Sequence, residues 1–410
     1  MIFRRFRPPA WNEALRRLVT AQVVTVVGTQ VTVLALPTYA IRSLHASAFA
    51  VAALTTVAYL PFLLGPFVGL AVDRGRLRHI LVRADLARAV ALVTVPIAAA
   101  LGLLTLYQLY LVAAVVGLLS TLFDIAVQAT LPKLLDSSHI VTGNAAVSAA
   151  QSVGTISGPA LAGLTVQFAG AARAVCADVA SYLYSARLLS GLPELPRGRT
   201  SPKLTWRAEI AAGFRAVQRV PGLWRMVGGT ATMNLGCVAV EALYVLYAYR
   251  RGLSPMAVGA TYALYSAGML GGSLATGRLS RRYGLGPMIA GASVCYLAGL
   301  TLVPLSSTGP TLAMLGLAQA TIGASGTVWG VGIATLRQSL TPPERLGQVT
   351  ALVRTVAFAA IPVSTLLAGA LVHEIGLVPT MWVFVALAVP TPLWYFNPTC
   401  LRLKIQPVMS

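Results

Sequence analysis

Three carboxylic acids, Asp124, Asp178 and Glu241, are expected within long apolar stretches of this sequence. A carboxylate in hydrocarbon is costly, so such a group faces a protein interior or a wet cavity rather than lipid. Held there, a carboxyl group can take up a proton in one conformation and release it in another. These residues are therefore candidates for proton coupling. The alternative for each is a permanently neutral, hydrogen-bonded structural carboxyl.

A second concentration of charge is the stretch "GLAVDRGRLRHILVRADLAR", residues 69–88, with two acids, five arginines and one histidine. Fixing the orientation of a membrane protein requires only the cations. Asp73 is therefore the informative residue, because its carboxylate can accept hydrogen bonds from a nearby arginine or from the first amides of a neighbouring helix. Glycines at 65 and 69 are expected to let two helices approach closely. The alternative is a loop that sets orientation and does nothing else.

The composition says what kind of element must position these groups. Of 410 residues, 57% are hydrophobic and 10% are charged, where a soluble domain carries roughly a quarter charged residues. This composition excludes a large soluble domain and indicates a membrane protein. The net charge of +20 does not indicate a nucleic-acid partner, because the arginines fall in short pieces between apolar segments.

Apolar runs, divided by glycine, proline and charge, predict an all-α integral membrane protein of twelve transmembrane helices in two six-helix pseudo-symmetric halves. The predicted domains are an N-terminal bundle (1–192), a cytoplasmic linker (193–221) and a C-terminal bundle (222–410). The predicted spans are 18–41, 48–72, 80–103, 108–131, 146–169, 171–190, 222–248, 254–277, 286–306, 310–335, 348–372 and 377–397.

The distribution of basic residues predicts the orientation. With both termini in the cytoplasm, all but four of the 31 lysines and arginines lie on the cytoplasmic side, as the positive-inside rule requires. Arginine far outnumbers lysine, which is typical of a GC-rich bacterial gene and favours a bacterial inner membrane. In the linker, Trp206 to Arg219 can form an amphipathic helix along the inner leaflet. A solvated connector is the alternative.

The residues do not indicate an enzyme, a metal site or a cofactor. The four cysteines stand singly, without the spacing of a disulfide framework or metal site, and are expected to be packing residues. The four histidines are near span ends, and no nucleophile, base or phosphate-binding GxxxxGK[ST] loop accompanies them. These residues are Cys176, Cys237, Cys295, Cys400, His45, His79, His139 and His373.

The two halves of the chain echo each other. "ATLPKLLDSSHI" at 129–140 matches "ATLRQSLTPPERL" at 334–346, and both lie between the fourth and fifth predicted span of their half. Corresponding positions in both halves favour duplication of a six-span unit.

The stretch "GPFVGLAVDRGRLRH" resembles the loop between spans 2 and 3 of the major facilitator superfamily, Gly-x-x-x-Asp-Arg followed by basic residues. Its positions are held by Gly69, Asp73, Arg74, Arg76 and Arg78. The resemblance implies a secondary transporter whose halves rock around a midplane site. It also implies that this loop is a conformational switch, a charged clasp that closes the cytoplasmic side in one state.

Two further resemblances concern the kind of transporter. "GTISGPALAG" in span 5 is similar to an element of exporters in that superfamily, with Gly154, Gly158, Pro159 and Gly163 at its positions. Finer features resemble the drug and siderophore exporters, the group with macrolide efflux pumps and the enterobactin exporter. Residues at characteristic positions of that group are Asn144, Arg337, Gln338, Gly347 and Arg354.

The resemblance also implies which residues face the transport path. In the superfamily, spans 1, 4, 7 and 10 line the cavity, so Asp124 and Glu241 would face it and Asp178 would be peripheral. Cavity acids together with aromatic rings favour a cationic amphipathic substrate. The candidate substrate-cavity residues are Trp329, Tyr244, Tyr39, Phe123 and Thr29.

Two positions depart from the pattern. Many exporters carry an acid where this chain has Thr29, and an arginine where it has Ala113, four residues before Gly117. Relatives use both groups to handle protons.

The function predicted from these features is proton-driven efflux of a drug, secondary metabolite or siderophore. The expected partners are a small-molecule substrate, protons and the lipid bilayer, and the expected assembly is a monomer. Two alternatives stay open: an importer or facilitator of the same fold, and a membrane sensor or lipid-moving protein that does not transport a small solute.

Overall fold

The computed structural model describes residues 13–135, 140–194, 214, 223–341 and 346–396. Within these ranges the chain is helical and contains no β-strand. His139, Cys400 and all of the predicted amphipathic segment except Phe214 lie outside them.

Seven α-helices precede the linker and seven follow it in the described ranges. The first seven are α1 (Glu13–Arg42), α2 (Ala48–Tyr59), α3 (Gly65–Arg74), α4 (Leu77–Ala100), α5 (Leu106–Leu134), α6 (Ile140–Ala169) and α7 (Ala171–Ser190). The others are α8 (Leu223–Arg250), α9 (Pro255–Tyr283), α10 (Leu285–Leu305), α11 (Thr311–Leu340), α12 (Leu346–Ile375), α13 (Leu377–Ala388) and α14 (Thr391–Tyr395). Short 3₁₀ segments follow α2, at Leu60–Leu64, and α10, at Ser306–Thr308.

Every predicted span coincides with helix, but two spans are broken. The second consists of α2, the 3₁₀ segment and α3, and the twelfth consists of α13 and α14. Prolines explain both breaks: Pro61 is the second residue of the 3₁₀ segment, Pro66 is the second residue of α3, and Pro390 and Pro392 flank the first residue of α14. Proline lacks a backbone donor and clashes with the preceding helical turn.

Six helical stretches in the described residues are long and apolar enough to cross a membrane. They are Glu13–Arg42, Leu106–Leu131, Leu223–Arg250, Leu285–Thr308, Thr311–Arg337 and Leu377–Tyr395. Shorter apolar helices run over Ala48–Leu64 and Ala359–Ile375. The count of twelve crossings and the symmetry of the halves stay predictions.

The chain divides into two compact units. The N-terminal unit comprises Met1–His45 and Val57–Lys203, and the C-terminal unit comprises Ala46–Thr56 and Leu204–Ser410. The first nine of the twelve residues of α2 therefore belong to the C-terminal unit, where the hydroxyl groups of Thr56 and Thr365 are 2.6 Å apart.

Within the N-terminal unit, α1 packs against both α6 and α7. The buried core of this unit includes Leu15, Leu18, Leu81, Phe123 and Leu131. The main core of the C-terminal unit lies around α8, α10, α11 and α12 and includes Leu223, Met226, Ile289, Leu336 and Val349.

Glycines of the span 5 element bring α6 against α1. A Cβ atom at Gly154 would overlap Val26, and one at Gly158 would overlap Gln30. These positions tolerate only glycine at this helix separation, and Pro159 and Gly163 in the same helix are also buried. The element thus fixes the position of α1.

The expectation for Gly65 and Gly69 was wrong. No described atom lies within 4 Å of a Cβ atom built at either glycine. Close packing in this region involves Gly117 of α5 instead, where a Cβ atom would overlap the carbonyl oxygen of Ala58.

Candidate functional site

The N-terminal unit contains a buried ion pair on α4. Arg88 donates from Nη2 to Oδ1 of Asp85, and the side chains are 4% and 0% exposed. Residues three apart lie on the same face of a helix, so the spacing Asp-x-x-Arg directs both groups to the interior. The expectation of three acids within spans was wrong, because it omitted Asp85.

Aromatic rings enclose the guanidinium group of Arg88. Its Cζ atom lies 4.4 Å from the ring centroid of Phe123 and 4.3 Å from that of Tyr182, within the range of cation–π attraction. Its Nη1 is 3.4 Å from the hydroxyl oxygen of Ser120. Its Nε atom is buried and has no hydrogen-bond partner among the described residues.

The carboxyl groups of this region are bound to α7 and α1 through hydroxyl groups. Ser185 donates to Oδ2 of Asp85 at 2.6 Å. Thr32 donates to Oδ2 of Asp178 at 2.5 Å, and Ser181 donates to its Oδ1 at 3.0 Å. These hydrogen bonds connect Asp85 of α4 to α7 and Asp178 of α7 to α1.

Asp178, which was expected to be peripheral to the transport path, is buried inside the N-terminal unit. Its side chain is 0% exposed and faces α1, where the absence of a Cβ atom at Gly28 leaves space for it. Asp178, Ser181, Tyr182 and Ser185 are three or four residues apart, so they form one polar face of α7. The length of an apolar run does not reveal this polar face, which directs Asp178 toward the interior of the unit.

Tyr182 completes the connection between helices. Its hydroxyl oxygen is 3.1 Å from that of Thr29 on α1. The carboxyl groups of Asp124 and Asp178 also attract the guanidinium group of Arg88 electrostatically. We refer to Asp85, Arg88, Asp124, Asp178 and Tyr182 as the charge cluster.

The charge cluster adjoins a cavity of about 340 Å³ within the N-terminal unit. We call it the N-terminal cavity. Its wall combines two charged groups, two rings and many amide and hydroxyl groups. The lining residues are Gln22, Thr25, Val26, Thr29, Gln30, Phe62, Arg88, Ser120, Phe123, Asp124, Gln151 and Thr155.

Three predicted site residues are brought together in this cavity: Thr29, Phe123 and Asp124. Tyr39, although on α1, is not one of its lining residues. Ala113 is buried on α5, 5% exposed, so the unit has no arginine where relatives carry one. Arg88 on α4 provides a buried guanidinium group in the same unit.

The predicted site residues of the C-terminal unit are not assembled in the same way. Glu241 is exposed, and its described hydrogen bond is from the hydroxyl of Tyr296 at 3.4 Å. Tyr244 is 1% exposed and donates to Thr261 at 2.7 Å, so it is a core residue. Trp329 is half-buried, with its ring centroid 6.5 Å from that of Tyr395.

The predicted switch is described only in part. Asp73 and Arg74 form the end of α3, but their side chains lie outside the described set. Arg76 is exposed at the residue before α4, and Arg78 is half-buried in its first turn. Among the subgroup residues, Arg337 lies in the last turn of α11, and the side chains of Asn144, Gln338, Gly347 and Arg354 are not described.

The cysteines are not all packing residues. Cys237 is buried, whereas Cys176 and Cys295 are exposed. In the described part of the chain, no group of three or more His, Cys, Asp or Glu side chains could hold a metal ion.

Comparison with known families decides the class of protein. The Major Facilitator Superfamily model matches residues 18–365, most of the chain. The chain belongs to the Major Facilitator Superfamily. This member is therefore a multi-pass membrane transporter of a small molecule and not an enzyme.

Two bacterial transporters are similar to this superfamily member in sequence. It is 27% identical over 398 residues to the uncharacterized MFS-type transporter YfiS of Bacillus subtilis (strain 168), covering 92% of this chain and 89% of the relative. It is 27% identical over 280 residues to the uncharacterized MFS-type transporter y4rN of Sinorhizobium fredii, covering 63% of this chain and 66% of the relative.

Solved structures show the same fold. The nucleoside transporter NupG superposes with a TM-score of 0.76 at 12% identity, over 93% of this chain and 98% of that one. A bacterial homologue of the human lysosomal transporter Spinster, inward-facing and unoccupied, superposes with a TM-score of 0.74 at 15% identity, over 96% of this chain and 98% of that one. A bacterial homologue of the iron transporter ferroportin, inward-facing, superposes with a TM-score of 0.72 at 18% identity, over 94% of this chain and 99% of that one.

Proposed function

We propose that this transporter exports a drug, secondary metabolite or siderophore from a bacterial cell in exchange for protons, across the inner membrane. The observation that carries the proposal is the N-terminal cavity, in which an acid, an arginine and two aromatic rings share one wall with amide and hydroxyl groups. Pockets that bind small molecules combine apolar surface with a few polar groups in this way.

The lining favours an amphipathic substrate with a cationic centre. Phe62 and Phe123 offer ring faces, and the amide groups of Gln22, Gln30 and Gln151 offer both donors and acceptors. Asp124 adds a carboxyl group to the wall, and the guanidinium group of Arg88, also on the wall, donates to Asp85. A substrate cation at Asp124 would take the place of a proton.

Exchange for protons follows from that shared position. A carboxylate inside a membrane protein needs either a cation or a proton to offset its charge. If Asp124 carries the substrate's cationic group in one half of the cycle and a proton in the other, the two move in opposite directions. Outward transport is favoured by the Gly154, Gly158, Pro159 and Gly163 element, which packs α6 against α1.

The test is a panel of compounds in a pump-deficient bacterial host that expresses the full chain. Ethidium, erythromycin, tetracycline and enterobactin are measured for accumulation with and without a protonophore. We expect lower accumulation of at least one compound, lost when the protonophore is added. Asp124→Asn should raise that accumulation to the level of the empty host, while Glu13→Gln, an exposed acid on α1, should not.

The direction of transport is tested in everted vesicles, where export appears as uptake. Acidifying the vesicle interior should drive uptake of the exported compound. Uptake driven into right-side-out vesicles instead would contradict export and favour an importer. Glu241→Gln in the same assay examines the C-terminal acid, and an unchanged response to the pH gradient would exclude Glu241 from coupling.

A further inference from the structure

We propose that Asp178 carries a proton in this conformation and that losing this proton separates α1 from α7. The proton lies on Oδ1, in the contact with Ser181. Because α1 also lines the N-terminal cavity, release of the proton changes the wall of that cavity. This inference rests on the proton-driven export proposed above, and it adds a proton-binding residue that is not itself part of the cavity wall.

The hydrogen atoms around the Asp178 carboxyl group can be counted from its contacts. Thr32 donates its hydroxyl hydrogen to Oδ2 at 2.5 Å. The Ser181 hydroxyl group has two acceptors in range, the main-chain oxygen of Asp178 at 2.8 Å and its Oδ1 at 3.0 Å. A hydroxyl group has one hydrogen to donate and can also accept. With that hydrogen on the closer main-chain oxygen, the contact between Ser181 and Oδ1 requires a proton on Oδ1.

Within the described ranges, Asp178 is not bound to a cation. Its side chain is 0% exposed and forms no ion pair there. Arg88 donates to Asp85 and Ser120, and none of its described hydrogen bonds is to Asp178. A carboxylate buried without a paired cation is strongly unfavourable. A protonated carboxyl group avoids that cost.

The helices that pack against α7 offer no further cation among their described residues. These are mainly α1 and α4, and also α6. The ionisable residues of α1 all lie in its first five or last four positions, and α6 has none. From α4, Asp85 and Arg88 act on Asp178 with opposite signs, and α7 itself adds the phenol of Tyr182. A proton is therefore the remaining partner for Asp178.

Gly28 of α1 packs directly on the contact between Asp178 and Ser181. A Cβ atom at Gly28 would overlap both the Ser181 hydroxyl oxygen and Oδ1 of Asp178, so water has no room there while the helices touch. An ionised Asp178 needs water or a cation to offset its charge. Loss of the proton therefore separates α1 from α7. This movement displaces the α1 residues that line the N-terminal cavity, namely Gln22, Thr25, Val26, Thr29 and Gln30.

The first experiment detects the proton and needs no substrate. Infrared difference spectra between neutral and alkaline buffer are recorded for the full-length protein in lipid nanodiscs. We expect a carbonyl band of a protonated carboxyl group at neutral pH that is absent from Asp178→Asn and present in Glu13→Gln, a change of an exposed acid. Ser181→Ala keeps the carboxyl group and should shift the band, because Oδ1 loses its partner. Equal spectra of Asp178→Asn and the wild type, or no shift in Ser181→Ala, would overturn the proposal.

The second experiment measures the separation of α1 and α7 in the same nanodiscs. After replacement of the native cysteines, spin labels are attached at Ser43→Cys, in the exposed turn after α1, and at Arg173→Cys, exposed in the first turn of α7. Electron paramagnetic resonance should give a distance that is longer at alkaline than at neutral pH by about 2 Å or more. Adding Asp178→Asn should abolish this change, because an amide cannot ionise, whereas adding Glu13→Gln should not. A distance that ignores pH, or that responds equally in Asp178→Asn, would contradict the proposal.

Transport assays connect this proton to export and separate the two proposals. In everted vesicles, Asp178→Asn should lose the stimulation of ethidium uptake by an acidic interior, and Glu13→Gln should keep it. If the Asp178 band and the distance change are found but no compound of the panel is exported, the proposed function fails and the proton site stands. If export is proton-driven and Asp178→Asn keeps both the band and the stimulation, the proposed function stands and this inference fails.

Discussion

At the scale of single residues, the cost of burying charge organises the N-terminal unit. Asp85 and Arg88 are both at least 96% buried. Such a pair contributes little net stability, but either partner alone is strongly unfavourable. Asp85 is further held by Ser185 and Arg88 by two rings. The pair is therefore a specific arrangement that single substitutions disturb more than a double one.

This gives a prediction for stability. Arg88→Gln should lower the free energy of unfolding by about 3–5 kcal/mol, because it leaves Asp85 without a cation. Asp85→Asn/Arg88→Gln should lose less than the single variant, because no uncompensated charge remains. Thermal unfolding in detergent, followed by tryptophan fluorescence, measures both. Arg83→Gln on the exposed face of α4 is the control, and a single variant as stable as this control would contradict the prediction.

At the scale of helices, close packing places α1 within the N-terminal unit. Gly154 and Gly158 of α6 approach it from one side, and Gly28 of α1 faces Asp178 and Ser181 of α7 on another. Small residues at these contacts let backbones come close enough for Thr29 and Thr32 to reach α7. The geometry of the charge cluster thus depends on glycines that are not part of it.

The packing predicts the effect of enlarging one glycine. Gly158→Leu should separate α6 from α1 and cost about 1–3 kcal/mol or more, as overpacking does. Expression and efflux should both fall. Gly271→Leu in α9 is the matched control, because no described atom lies within 4 Å of a Cβ atom there. Normal efflux by Gly158→Leu would show that this glycine contact is unnecessary.

The connection between α3 and α4 carries the switch predicted from the sequence, on the side of the membrane predicted to be cytoplasmic. Asp73→Asn should slow transport strongly while leaving the protein inserted, because the charge of the clasp is lost and the shape of the side chain is kept. Efflux rate and membrane content are measured together. Glu374→Gln, an exposed acid at the end of α12, should have no effect, and full activity of Asp73→Asn would count against the clasp.

At the scale of the whole molecule, each unit contains a glycine on a long helix that packs closely against another helix of the same unit, but the chemistry of the two contacts differs. Gly28 of α1 faces Asp178 and Ser181 of α7, and Gly236 of α8 faces Phe384 and Ala388 of α13. At Gly236 the neighbouring atoms belong to the Phe384 backbone and to Ala388, whereas at Gly28 they belong to the polar side chains of Asp178 and Ser181.

The topology of the chain is also testable. After replacement of the native cysteines, Arg76→Cys and Thr200→Cys should react with a membrane-impermeant thiol reagent only in everted vesicles. Ser43→Cys, in the exposed turn after α1, should react only in intact cells. Labelling of positions 76 and 200 from opposite sides would contradict the twelve-span arrangement with both termini in the cytoplasm.

The sequence by itself determined the membrane class, the helical architecture and the superfamily. Apolar length and the cost of unpaired backbone groups in lipid leave helices as the solution for such segments, and local motifs such as that around Asp73 indicate the family. Proline positions also explain the breaks after α2 and α13, although apolar length alone did not predict them.

Only the tertiary structure decided which polar residues meet. Asp85 and Arg88 stand in a run of arginines that resembles an orientation signal, and Asp178 lies in a span expected to be peripheral. Their burial depends on α4, α5, α7 and α1 coming together, and this is a property of helix packing rather than of local composition. Spacing shows which residues share a face, but the partner of that face is set by contacts far apart in the chain.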